Sequence, residues 1–288
     1  MSRLQIPFRY DYVGSFLRPE ELKQARAAFA EGKISQEQLT RVEDECITQL
    51  VKKQKELGYH VITDGEFRRS YWHLDFMWGL NGIEHIELDH GYYFHGEETT
   101  HGSCRNLQLD DCTWGMIVDE GYRKARISEG VSLEEEAAAY LKVNNLALAD
   151  LPEDLRVATH ICRGNYHSAY ACSGPYDKAA PYVFAQENVD AFYLEFDDAR
   201  SGSFDCLAQI PAGKKVVLGL VTTKNPALEN KEDVIRRIHE AAAFVPLENL
   251  CLSPQCGFAS CEIGNKLTPE EQWKKMELVR EIAEEVWQ

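Results

Sequence analysis

"KKVVLGLVTT", residues 214–223, is a run of valine and leucine that ends in two threonines. Such a run is typical of a strand that is buried on both faces of a sheet. An amphipathic helix is predicted next, over Asn230–Phe244, and a second apolar run, "ENLCLSPQCG", follows at residues 248–257. Two buried strands joined by a helix indicate a βαβ unit and therefore a parallel sheet.

The same alternation continues towards the amino terminus. Further strands are predicted at Val13–Phe16, 60–66, 104–111, 156–162 and 189–198. Helices are predicted after the capping-box pattern at Ser35, over 131–143 and 177–187, and after a second capping box at Thr268. At 288 residues this pattern favours a (βα)8 TIM-type barrel over an open doubly wound sheet, and no Gly-x-Gly-x-x-Gly motif supports a dinucleotide fold.

One segment departs from this pattern. Residues 67–103 are predicted to form an irregular excursion, rich in aromatic residues and histidine, within a single catalytic domain that covers residues 1–288. Between about Gly91 and Cys104 the sequence carries no strand followed by a helix, so we expect the third βα unit of the barrel to be missing or truncated. An eight-stranded barrel needs that unit to close.

Composition limits the classes of partner. The formal net charge of −16 argues against nucleic acid and anionic membranes, which attract positive surfaces, and favours a small-molecule substrate. No run of about 18 apolar residues and no signal-peptide pattern is present, so we expect a cytoplasmic protein. The nine cysteines are accordingly expected to be reduced thiols, most of them buried and some of them metal ligands.

Residues suited to bind a metal ion stand at the ends of three predicted strands. His160 and Cys162 are two apart, so both point to the same face of their strand, which in a barrel is its mouth. Glu195 and Cys256 end two other strands, and imidazole, thiolate and carboxylate are all zinc ligands. The His-x-Cys pair alone is a weak signal, because a buried cysteine more often packs than binds metal.

Seven motifs in this order resemble the catalytic domain of the cobalamin-independent methionine synthase family, in a short form without the N-terminal domain. They span most of the chain and read DYVGSFLRP, VITDGEF, LQLDD, THICRGN, YLEFDDARSG, GLVTTKNP and LSPQCGFAS. The resemblance implies a (βα)8 barrel that transfers a methyl group from 5-methyltetrahydrofolate polyglutamate to the thiol of homocysteine, giving methionine. It also implies a Zn²⁺ ion held by His160, Cys162, Glu195 and Cys256. Homocysteine contacts would fall on Ser15 for the carboxylate and on Glu66 and Asp110 for the amino group.

The predicted ligand set suits this chemistry. Metal coordination removes the proton from a thiol that is mostly protonated at neutral pH. Two cysteinates and a carboxylate make the zinc site electron-rich, which keeps a bound sulfur nucleophilic, whereas three neutral histidines favour the activation of water. The set therefore favours thiol alkylation over hydrolysis or deamination.

Several alternatives stay open at this stage. Lys224 stands where longer members of the family carry a histidine proton donor, so the identity of the donor stays open, with Lys224 and His167 as candidates. Another methyl carrier, such as methylcobalamin on a methyl-carrier protein, is the alternative donor, because the usual folate contacts are incomplete without the N-terminal domain. A thiol other than homocysteine is the alternative acceptor, and a degenerate barrel with structural zinc is the non-enzymatic alternative.

Overall fold

The structure is a computed structural model, which describes residues 8–72, 74–78, 93–94, 97–98, 110–149 and 157–287. Its helices are α1 (Glu20–Ala30), α2 (Gln36–Glu56), α3 (Leu74–Trp78), α4 (Thr113–Val118), α5 (Glu120–Ser128), α6 (Leu133–Ala147), α7 (Val183–Gln186), α8 (Lys231–Ala241) and α9 (Pro269–Val286). Its strands are β1 (Tyr93–Phe94), β2 (Glu97–Glu98), β3 (Ala158–Ile161), β4 (Ala191–Glu195), β5 (Lys215–Val221) and β6 (Leu250–Pro254).

A parallel sheet lies at the centre of the described chain. It contains β3, β4, β5 and β6 in that order, so each strand pairs with its neighbour in sequence. Isolated parallel bridges extend both edges, from Asp110 to His160 and from Tyr10 to Leu252. The prediction of an α/β fold with a parallel sheet and helical connections is therefore confirmed, while closure into a barrel stays a prediction.

Two predicted strands near the amino terminus are wrong. Residues 13–16 and 60–66 form no strand, although the amide of Phe16 donates to the carbonyl of Gly65 at 3.2 Å. Gly14 and Gly65 have φ angles of 71° and 70°, which turn the backbone out of an extended ladder. The side chain of Thr63 donates to the carbonyl of Gly14 at 2.9 Å, so a side chain joins the two segments where ladder bonds were expected.

The helices with capping boxes form where they were predicted. Ser35 and Thr268 each accept a hydrogen bond from the third residue of the helix, whose side chain bonds back. The predicted helix over 177–187 instead consists of a 3₁₀ turn, Tyr176–Lys178, followed by α7. Pro181 lies between them and lacks the amide that a continuous helix would use there.

The hydrophobic core has two parts, each built from aromatic and aliphatic side chains. One lies around the sheet and includes Phe192, Val216 and Leu218, all fully buried. The other packs α1, α2 and α9 against the amino-terminal segment around Phe16 and Met276. No helix of the described part of the chain is long and apolar enough to cross a membrane. The predicted excursion at 67–103 and the strand at 104–111 lie largely outside the described residues.

Glu187 is a fully buried carboxyl whose titration opposes folding. Asn144 donates to its Oε1 atom at 2.7 Å. Burial, opposed by this hydrogen bond and reinforced by the charge of Asp111, raises the pKa of Glu187 from 4.5 to about 7. The unfolded chain therefore releases this proton at a lower pH than the folded chain, and the free energy of unfolding falls as the pH rises from about 4.5 to about 7.

Replacing this carboxyl by an amide is expected to remove that loss of stability. Glu187→Gln keeps an oxygen that accepts from Asn144 but does not titrate. The free energy of unfolding of each protein is measured with urea at pH 5 and at pH 8. We expect the difference between variant and wild type to shift in favour of the variant by about 2–3 kcal/mol from pH 5 to pH 8. Glu135→Gln, on the exposed face of α6, is the control, and an equal difference at both pH values would contradict the prediction.

Candidate metal centre

Four side chains with metal-binding groups meet at the carboxyl ends of three strands. His160 lies in β3 and Cys162 directly follows it, so both side chains point to the same face. Glu195 ends β4, and Cys256 lies two residues after the end of β6. One ligand atom from each residue lies within 4.8 Å of all the others, and the four residues are buried. The structure thus brings together the four residues proposed as zinc ligands from the sequence.

The spacing of these groups fits a tetrahedral zinc ion. Two sulfurs bound to one zinc at about 2.3 Å are about 3.8 Å apart, and the Sγ atoms of Cys162 and Cys256 are 3.9 Å apart. Nε2 of His160 lies 4.0 Å from Oε1 of Glu195. Among the described residues, neither ring nitrogen of His160 has a hydrogen-bond partner, although the residue is only 7% exposed. Leaving such a buried polar group unsatisfied costs free energy, which coordination to a metal ion would recover.

The protonation of the cluster reflects the crowding of acidic groups. Burial disfavours the charged imidazole, but the carboxyl groups of Asp110 and Glu195, with Cys256 beside the ring, outweigh it and raise the pKa of His160 to about 9. The hydrogen bond with Cys162, together with burial, raises the pKa of Cys256 well above its usual value. A divalent cation would reverse both preferences, because its charge favours thiolate and neutral imidazole.

Backbone amides after β3 support the anionic ligands. The amide of Arg163 donates to Oε1 of Glu195 at 2.8 Å, and the amide of Gly164 donates to Sγ of Cys162 at 3.3 Å. Gly164 has a φ of 89°, a conformation that glycine adopts without strain. Hydrogen bonds to charged acceptors are stronger than those to neutral ones. This loop is therefore shaped to favour the carboxylate and the thiolate.

The three residues predicted to bind the amino-acid group of a substrate lie near the cluster or beside its loops. Oδ1 of Asp110 is 3.9 Å from Nε2 of His160. Desolvation, partly offset by nearby arginines and reinforced by the charge of Asp110, raises the pKa of Glu66 to about 7. The hydroxyl of Ser15 accepts from the amide of Ala259 at 3.3 Å, in the loop that follows β6. The neighbouring carboxyl groups of Glu66 and Asp110 form a region of negative potential, which attracts an ammonium group.

A match to a protein-family model identifies the family to which this chain is related. The model described as the catalytic domain of cobalamin-independent synthase matches residues 10–93 and 103–285. The chain belongs to the cobalamin-independent methionine synthase family. The match is interrupted only within the segment that the sequence analysis singled out as irregular.

Individual relatives cover nearly the whole chain. The uncharacterized protein YxjG of Bacillus subtilis is 38% identical over an alignment of 365 positions, which covers 100% of this chain and 97% of that protein. A solved structure from Listeria monocytogenes, assigned as a vitamin-B12-independent methionine synthase, has a TM-score of 0.73 at 29% identity and covers 98% of both chains. The structure of a B12-independent methionine synthase from Shewanella, in complex with selenomethionine, has a TM-score of 0.60 at 17% identity, covering 96% of this chain and 97% of that one.

Lys224 stands where the resemblance to longer members of the family placed a histidine. Its Nζ atom donates to Oδ1 of Asn165 at 3.2 Å, and Nδ2 of Asn165 donates to the carbonyl of Gly257 at 2.6 Å. Through Asn165 the side chain joins the loops that follow β3, β5 and β6, and two of these loops carry residues of the four-residue cluster. His167, the other residue considered as a proton donor, lies in the turn after β3 with a φ of 46°.

The sequence did not predict two residues that hold the cluster and its loops in place through hydrogen bonds. Asn165 uses both ends of its amide to join three loops, and Arg200 binds one oxygen of Glu195 at 3.0 Å. Arg200 stands in the quoted motif YLEFDDARSG, five residues after the ligand. Its position shortly after a strand end was the available signal, but its contact depends on how the turn after β4 folds.

Proposed function

We propose that this protein is a zinc-dependent methyltransferase that transfers a methyl group from 5-methyltetrahydrofolate polyglutamate to the thiol of homocysteine, giving methionine. The observation that carries the proposal is the buried cluster of His160, Cys162, Glu195 and Cys256, with all four ligand atoms within 4.8 Å of one another. Membership of the methionine synthase family supports the same reaction.

The four side chains would hold zinc through one nitrogen, two sulfurs and one oxygen. Zinc bound there would supply the positive charge that keeps a substrate thiol deprotonated at neutral pH. Cys162 and Cys256 act as ligands in this proposal and not as nucleophiles. The amides of Arg163 and Gly164 hold the carboxylate and one thiolate in place, so little reorganisation is needed when the substrate binds.

Glu66 and Asp110 are the proposed partners of the substrate ammonium group, and Ser15 of its carboxylate. Oε2 of Glu66 is buried and has no hydrogen-bond partner among the described residues, so it is available to accept from an ammonium group. An amino acid fixed at both its charged groups has its side-chain sulfur held in one direction, towards the methyl donor. The selenomethionine in the Shewanella complex is an analogue of methionine, the product of the proposed reaction.

Lys224 is the proposed proton donor to the amine that loses the methyl group. Its Nζ atom is anchored by Asn165, which also contacts the loop of Cys256, so the group is held at a fixed place beside the cluster. A histidine in this place would donate from an imidazolium instead.

We further propose that residues 1–288 form one (βα)8-type barrel with a missing or truncated third βα unit. The family match breaks between residues 93 and 103, and the alignment with YxjG needs 365 positions for the 288 residues of this chain. YxjG therefore contains positions with no counterpart here. If the third unit lines the side of the methyl donor, its absence makes the donor the least determined part of the reaction, and a carrier such as methylcobalamin is the second candidate.

The assay that tests the reaction uses zinc-loaded protein, homocysteine and one methyl donor at a time. We expect methionine, detected by mass spectrometry, with 5-methyltetrahydrofolate triglutamate, and none after removal of zinc by a chelator. Methionine from methylcobalamin alone would show that the donor is wrong and the thiol acceptor right. A protein that binds zinc but makes no methionine with either donor would support a structural zinc site.

A further inference from the structure

Arg200 is the only arginine or lysine side chain that contacts one of the four proposed ligand side chains in the described part of the chain. It lies in the 3₁₀ turn Ala199–Ser201, directly after β4, and its side chain is 7% exposed. Its guanidinium reaches three carboxylates: Nη2 lies 3.0 Å from Oε2 of Glu195 and 2.9 Å from Oδ1 of Asp197, and Nη1 bonds Asp198. A buried cation with three carboxylates is held much more firmly than a surface arginine.

The two oxygens of Glu195 have different partners. Oε2 accepts from Nη2 of Arg200 at 3.0 Å. Oε1 accepts from the amide of Arg163 at 2.8 Å and lies 4.0 Å from Nε2 of His160. Only one oxygen of this carboxylate is therefore presented to the other ligands.

We infer that Arg200 is a positioning residue that restricts Glu195 to single-oxygen coordination of the metal. This inference rests on the proposed zinc site. It concerns how the carboxylate is held, because the contacts of Arg200 do not include His160, Cys162 or Cys256. Partners behind a ligand commonly determine its orientation and its charge.

The guanidinium is itself fixed from several directions. Asp198 caps the 3₁₀ turn by accepting from the amide of Arg200 at 2.9 Å, and its second oxygen bonds the guanidinium. The ring of Tyr170 lies 4.7 Å from the guanidinium carbon, close enough for a cation–π contact. A planar fork with fixed partners loses little entropy when it binds Glu195, whereas the ammonium group of lysine has no matching geometry.

Loss of the guanidinium has two expected consequences for the metal. Oε2 of Glu195 becomes free to rotate towards the metal, and the carboxylate loses a positive neighbour within a cluster of acidic groups. The ligand is then less ordered and binds as one oxygen or two, which reduces affinity. Removal of a partner behind a ligand typically lowers metal affinity by about 10–100-fold.

The test compares Arg200→Met and Arg200→Lys with wild type in metal binding by the full chain. Zinc affinity is measured by competition with a chromophoric chelator, and Co²⁺ in place of zinc reports coordination through its ligand-field bands. We expect Arg200→Met to bind zinc about 10–100-fold more weakly with altered Co²⁺ bands, and Arg200→Lys to lie between. Arg236→Met is the matched control, because Arg236 also bridges two carboxylates, but on the exposed face of α8.

The outcomes separate this inference from the proposed function. If wild-type protein binds no zinc, the proposed function fails and the inference fails with it. If wild type binds zinc and Arg200→Met has the same affinity and the same Co²⁺ bands, only the inference is overturned. A lower melting temperature with unchanged metal binding would also overturn it, since that is the result of a purely structural role. If Arg200→Met does not fold, Arg200→Lys decides by the same two measurements.

Discussion

Replacing Cys256 by serine is expected to lower zinc affinity by at least about a hundredfold and to abolish methyl transfer. Structural zinc sites bind with about 10–16 kcal/mol in total, so one of four ligands contributes about 3 kcal/mol, or about a hundredfold. A serine hydroxyl is a poor replacement, because it does not ionise at neutral pH as a metal-bound thiol does. Zinc content after gel filtration and the competition assay measure the loss, and circular dichroism tests whether the fold is retained.

A second buried cysteine provides the control for this variant. Cys251 lies in β6, five residues before Cys256, and is equally inaccessible, but it is not part of the ligand cluster. Cys251→Ser should therefore retain zinc, although it places the same polar group in the core. Equal zinc contents for the two variants, with both folded, would show that Cys256 is not a ligand. Cys162→Ser is expected to behave like Cys256→Ser.

Gly115→Ala is expected to weaken metal binding at the same site by displacing the backbone of Cys162. Gly115 lies in α4, and a Cβ atom there would stand 2.4 Å from the backbone carbonyl oxygen of Cys162. The helix and the strand end must move apart to admit the methyl group, at a cost of about 1–3 kcal/mol of stability. Because that carbonyl belongs to a proposed ligand, the displacement also moves Sγ relative to the other three groups.

We expect Gly115→Ala to bind zinc at least about tenfold more weakly and to unfold at lower urea concentration. Gly121→Ala is the matched control. It lies in the first turn of α5, where the nearest atom to a new Cβ is a side-chain oxygen of Asp119 at 3.1 Å. Alanine there is expected to change the stability by less than about 1 kcal/mol, because its higher helix propensity is opposed by a small displacement of Asp119, which caps α5. A loss of stability at Gly115 without any loss of zinc affinity would mean that the strand end does not position Cys162.

Some elements could be predicted because their signals are local. The runs that became β4, β5 and β6 consist of apolar residues, and such residues form strands wherever both faces are covered. The capping boxes at Ser35 and Thr268 formed as predicted, since all of their atoms belong to a few consecutive residues.

Other features depended on contacts between distant segments. Residues 13–16 lack a strand because Gly14 turns the backbone and Thr63, some fifty residues later, supplies the hydrogen bond that joins the segments. Helices α1, α4 and α5 were not predicted, because α1 and α5 bury at most one residue each and α4 is only six residues long, too short to show a helical repeat. The close packing of α4 against the residue that follows β3 could not be predicted either. A glycine in a short helix does not reveal which distant backbone atom it will contact.

For this protein the sequence by itself determined the family, the alternation of strands and helices, and the four residue types at the strand ends. Parallel strands place their carboxyl ends at one edge of the sheet, so the order of the motifs alone predicts that these residues meet. Only the tertiary structure decided the spacing of 3.9 Å between the two sulfurs, the assignment of one Glu195 oxygen to Arg200 and the link from Lys224 to Asn165. Each of these contacts depends on how the loops after the strands fold and pack. Packing determines their mutual positions, and the order of residues along the chain does not.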